Sequence, residues 1–128
     1  MLPITSLYAG LLALLLVTLS AKTILMRRKT RTSVGDNGNP DMLRAIRVQG
    51  NFTEYTPFAL LLLALSELQG APGWAVHVLG LILLVGRLLH VWGFGSTPQI
   101  IPARQAGMVL TFLMIIIAGL GLAAHSLF

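Results

Sequence analysis

Cysteine is absent from this sequence. A disulfide framework, a cysteine nucleophile and a thiolate metal site are therefore excluded, and any thiol chemistry must come from a ligand; no metal is expected. Charge is scarce too, at 10% of residues, and only four residues are acidic. Aromatic residues make up 7% and do not interleave with the basic ones, so the formal charge of +5 gives no reason to expect a nucleic acid partner. No basic residue precedes the first apolar run, whereas a signal peptide has a charged start and a shorter apolar core. That run is read as an uncleaved span.

What is present is apolar length. With 55% hydrophobic residues and a mean hydropathy of +0.83, the composition lies outside that of an ordinary soluble domain. A spanning helix needs about 20 mostly apolar residues, and four segments qualify: 4–26, 40–69, 73–94 and 103–126. Asn39 can cap the second segment and Pro40 suits its first turn. This segment is longer than a bilayer requires, so it should project from the hydrocarbon or tilt. Gly and Pro at 70–73 and 95–98 mark turns between the later segments. The expectation is an all-α membrane protein, one domain over 1–128 folded as a four-transmembrane-helix up-and-down bundle. All nine Lys and Arg residues then gather at one end. The positive-inside rule makes that end cytosolic, leaves both termini on the other side, and suits anionic membrane lipid as a partner.

Ionisable residues within a span face the bundle interior by default and mark a site. On the second segment Arg44, Arg47, Asn51, Glu54 and Tyr55 fall within an arc of roughly 100° at about 100° per residue. Arg44 lies near enough to the helix start to snorkel to the head groups. Glu54 could pair with an arginine of its own helix, a reading ranked below a role in the site because Glu54 lies about 10 Å deeper than Arg47, beyond easy reach of water. Asn51-Phe52-Thr53 matches a glycosylation sequon, but inside a helix on the basic side it is discarded. On the third segment Arg87, His90 and Phe94 share one face. His77, His125 and Glu67 have no such company and are read as interfacial or packing residues.

Three arginines against Glu54 leave a surplus of positive charge in this region. Arginine pairs with carboxylates in bidentate geometry, and Glu54 would suit an amine on the same ligand. A small zwitterionic peptide with two carboxylates and one amine would satisfy the set. The residue chemistry leads to that class of molecule and no further.

The stretch from Arg44 to Pro57, with Arg47, Asn51, Glu54, Tyr55 and Pro57 as its markers, resembles the second-helix signature of the MAPEG family. These are membrane-associated proteins in eicosanoid and glutathione metabolism. The resemblance implies that Arg47, Asn51, Glu54 and Tyr55, with Arg44 nearby, contact glutathione from one subunit of a homotrimer. Arg87, His90 and Phe94 would complete the site from the third helix of a neighbour. Lys22, Arg27 or Arg28 would supply a first-helix contact. Phe94 stands where several members have Tyr. Arg104 lies in the region of the family's thiolate-stabilising arginine, at a different offset and near Pro98 and Pro102, and is the catalytic candidate, with Ser96 or Thr97 as weaker donors to the sulfur.

The function expected is that of a glutathione-dependent membrane transferase or peroxidase, with glutathione or a related thiol as co-substrate and a lipophilic small molecule as electrophile. A non-catalytic glutathione- or lipid-binding scaffold is the alternative. A four-helix proton-coupled exporter ranks last, because such exporters resemble one another in an acidic residue on the first helix and none lies between Ile4 and Met26.

Overall fold

The computed structural model describes all residues, 1–128. Four helices follow one another: α1 (Pro3–Thr30), α2 (Pro40–Leu68), α3 (Gly73–Gly95) and α4 (Ile101–Leu127). They form a four-helix membrane bundle. Three of them are long and apolar enough to cross a membrane by composition alone; α2 has the length but carries the charged stripe in its first half. α1 runs four residues beyond Met26, because Arg27, Arg28 and Lys29 sit where a helix C-terminus favours cations. It stops at Arg31, whose φ of 52° is left-handed.

Local chemistry explains the other ends. The Asn39 side chain accepts hydrogen bonds from the amides of Asp41 and Met42, each 3.0 Å, so α2 starts with its first donors satisfied. α1 has no such cap of its own. Glu67, at the far end of α2, supplies it: its carboxylate accepts from Ile4 N at 3.0 Å and Thr5 N at 2.7 Å. Glu67 therefore joins two helices that are antiparallel neighbours, a more specific role than interfacial packing.

Lipid tails are as apolar as leucine, so helices in a membrane associate through close packing of small residues. Glycines on α3 provide it. A Cβ at Gly80 would overlap the Tyr8 ring of α1, and one at Gly93 would strike the backbone of Ala103 and Arg104. Gly107 of α4 lies so close that an added Cβ would stand 2.5 Å from both Gly86 O and His90 N. The interior between these contacts holds Leu12, Leu63, Leu83, Val76 and Met114, all essentially inaccessible. Leu14, Val17, Ile116 and Leu120 face outward, as a bilayer solvent permits.

Candidate functional site

The antiparallel run of α2 and α3 brings Asn51 level with Arg87. Arg87 is wholly buried, and its Nη2 donates to Asn51 Oδ1 at 2.8 Å. The same nitrogen lies 3.9 Å from Met108 Sδ on α4, a weak acceptor. Its Nε and Nη1 have no partner, and neither has Nδ1 of His90, one turn further along α3 and 1% exposed. Buried polar groups are normally hydrogen-bonded, so three orphaned nitrogens on adjacent turns call for an explanation beyond packing.

Aromatic contacts continue the line toward the basic end. The His90 ring meets Phe94 edge-on, with centroids 5.6 Å apart. The Arg104 guanidinium lies 3.8 Å from the centroid of the other partner in this stack, the Phe94 ring, and its Nη1 donates to Gln99 Oε1 at 2.8 Å. Such a cation over a ring is held by the quadrupole without being neutralised. Arg104 and Phe94 thus stand together despite the intervening prolines.

The α2 stripe divides at its centre. Helical geometry sets Arg47 and Glu54 about 20° apart at one edge and Asn51, Arg44 and Tyr55 on the other. Arg47 and Glu54, two turns apart, form an ion pair at 3.1 and 3.4 Å, with side chains 47% and 48% exposed. Gly50 lets the arginine lie back along the helix, since a Cβ there would be 3.2 Å from Arg47 Nη1. Arg44 turns toward α3, donating to Thr97 Oγ1 and to Ser96 O at 3.5 Å, with Asp41 at 3.9 Å. Tyr55 packs edge-on against Phe112 of α4.

These contacts refine the charge count. Glu54 is engaged by Arg47 and Asp41 approaches Arg44, and these are the two ion pairs of the chain. Arg87 is left as the buried cation without a carboxylate. Arg87 and His90 are enclosed in the bundle of their own chain, against Asn51 of that chain. Met108, Gln99 and Phe112 were not anticipated. Each is an ordinary residue type on α4 or its approach, and only helix packing brings it to the site. No group of three His, Cys, Asp or Glu side chains could hold a metal ion.

A helical membrane bundle with an enclosed arginine and imidazole and a ring-covered guanidinium is the class of protein these features define. Within that class the chain belongs to the MAPEG family, whose profile matches residues 5–124. It is 38% identical to the inner membrane protein YecN of Escherichia coli K12 over 120 residues, covering 91% of this chain and 90% of that protein. YecN of Escherichia coli O6:H1 matches equally. Leukotriene C4 synthase of Cavia porcellus is 33% identical over 110 residues, covering 84% of this chain and 73% of the synthase. The chain is thus an integral membrane protein of a family with glutathione-related function.

Proposed function

We propose that the chain is a glutathione-dependent membrane transferase or peroxidase that activates a bound thiol toward a lipophilic electrophile. The observation that carries this reading is the buried Arg87, with two unpartnered nitrogens beside Asn51 and His90 and no carboxylate of its own. A carboxylate of glutathione would complete it with charge-assisted hydrogen bonds. Arg47, Glu54, Tyr55 and Arg44 flank the same stretch of α2 and would contact the rest of the peptide. The family and the leukotriene C4 synthase relative support glutathione as co-substrate.

Arg104 is the catalytic candidate. A nearby cation favours the thiolate over the thiol, and the thiolate is the nucleophile. In conjugation the thiol proton passes to solvent, the sulfur's lone pair forms the bond to an electrophilic carbon, and the bond from that carbon to its leaving group, or one C–O bond of an epoxide, breaks with its electron pair to give an anion that solvent protonates. The half-exposed Arg47–Glu54 pair lies on a face that would be costly against lipid. A neighbouring copy covers that face, in a homotrimer with its basic loops cytosolic and both termini opposite.

A non-catalytic scaffold is the second reading, favoured by Phe94, which has no hydroxyl to offer a thiolate and whose ring already engages Arg104. A conjugation assay on the detergent-purified protein, with glutathione and other thiols against a model electrophile, tests the proposal. Turnover supports the enzyme; glutathione binding without thiolate absorbance or turnover supports the scaffold.

A further inference from the structure

α1 and α3 run parallel and touch at the end away from the basic loops. There Tyr8 donates to His77 O at 3.1 Å and its ring fills the space above Gly80. At the basic end they leave a cleft of about 740 Å³, floored by Ala45 and Val48 of α2. None of Arg87, His90 or Arg104 lines it.

Two features of the cleft point to its occupant. Its charged residues are Lys22, Lys29, Arg44 and Asp41, three cations against one carboxylate. Lys22 and Lys29 are exposed and neither forms an ion pair. Seven residues apart, they stand on one face of α1 separated by about 10 Å along its axis, so the long Lys22 side chain can rise toward the level of Lys29. The second feature is position in the bilayer. Trp92 borders the cleft, and Trp74, at the start of α3, is the chain's other tryptophan. Their separation of 18 residues corresponds to about 27 Å of helix, close to the thickness of a hydrocarbon core. Both are exposed, at 58% and 73%, as tryptophans in interfacial belts are. Trp92 therefore marks the head-group level on the basic side, and the cleft opens there with apolar Leu19 and Leu88 below its cations.

We propose that this cleft is a binding site for an anionic phospholipid. Its phosphate lies between Lys22 and Lys29, and an acyl chain runs down against Leu19, Leu88 and Trp92. A volume of this size suits a head group and the upper part of a chain, and basic pockets between helices at a membrane surface bind anionic head groups. The site does not rest on the thiol chemistry proposed above.

Trp92 provides the readout. In full-length Trp74→Phe protein in detergent it is the sole tryptophan, and brominated lipids quench tryptophan emission on contact. Brominated phosphatidylglycerol should quench Trp92 at a mole fraction at least several-fold below that needed for brominated phosphatidylcholine. Lys22→Gln with Lys29→Gln should abolish this preference; both side chains are exposed, and an unchanged thermal transition would verify the fold. Equal quenching by the two lipids, or a preference that survives the double substitution, would overturn the proposal. So would tight quenching by a brominated fatty acid that phosphatidylglycerol cannot displace, which would assign the cleft to a single-chain acid instead.

Discussion

Arg87 on α3 holds Asn51 on α2 through one hydrogen bond of 2.8 Å, and Asn51 Oδ1 is the only oxygen that the guanidinium meets. The pair is therefore incomplete from both a structural and an electrostatic viewpoint. Leaving a buried donor unmade costs about 1–3 kcal/mol, and more for a charged group. A ligand carboxylate arriving here would recover that loss.

The first prediction follows from this deficit. Saturating glutathione should raise the thermal transition of the detergent-solubilised protein, since a ligand at 100 times its Kd stabilises by about 2.7 kcal/mol. In Arg87→Met, an unbranched apolar side chain two atoms shorter and without buried charge, the apo protein should be about as stable as wild type, and the glutathione-dependent shift should vanish. A shift of unchanged size in Arg87→Met would remove Arg87 from the site.

Arg47→Ala separates binding from folding. Because its pair with Glu54 is half exposed, its contribution to stability is about 0–1 kcal/mol. Truncating a charge that is buried against a ligand costs more, about 2–5 kcal/mol of affinity. Calorimetric titration of glutathione should therefore show a loss of tenfold or more in a variant whose unfolding is nearly unchanged. Equal affinity would mean that Arg47 serves Glu54 alone.

Gly107→Ala should be far more damaging than Gly119→Ala on the same helix. The new methyl at 107 would press on the Gly86 carbonyl and the His90 amide, both backbone, while nothing lies within 4 Å of Gly119. Overpacking of this kind costs about 1–3 kcal/mol or more, whereas a helical Gly→Ala change in open space gains about 0.5–1 kcal/mol. Unfolding in detergent should show opposite signs for the two variants. Loss of activity in Gly107→Ala would follow from displacement of His90.

These contacts also show where sequence reading stops. Apolar run length and turn residues disclose a four-helix membrane bundle because both are local properties, and Asn39 announces its cap in the same way. Helical periodicity collects Arg44, Arg47, Asn51, Glu54 and Tyr55 into one arc. It cannot say which edge of the arc meets α3 and which stays open, because that depends on the rotation of α2 in the bundle. Glu67 capping α1 and Met108 approaching Arg87 link residues 62 or 63 and 21 positions apart, with no local pattern to expose them. Glycine at 80, 86, 93 and 107 is a visible signal of close packing, but it does not name the partner.

Phe94 tests the catalytic half of the proposal. Its ring carries the Arg104 guanidinium on its face and meets His90 at its edge, so Arg104 and His90 are joined through a side chain that offers no hydrogen bond. A hydroxyl at this position would be free to donate to a thiolate held nearby. A hydrogen bond to a charged acceptor contributes about 1.5–3 kcal/mol, equivalent to roughly tenfold to hundredfold in rate if it forms with the transition-state charge. Phe94→Tyr should therefore raise turnover of a model electrophile and increase the ultraviolet thiolate absorbance of bound glutathione. Arg104→Ala should abolish that absorbance in both backgrounds, because the hydroxyl supplements the cation and does not replace its charge. A thiolate signal that persists in Arg104→Ala would assign the stabilising cation elsewhere, and Arg87 would be the next candidate. Absence of the signal in both wild type and Phe94→Tyr, with glutathione bound, would favour the scaffold, since a protein that does not use the thiol as a nucleophile has no need to ionise it.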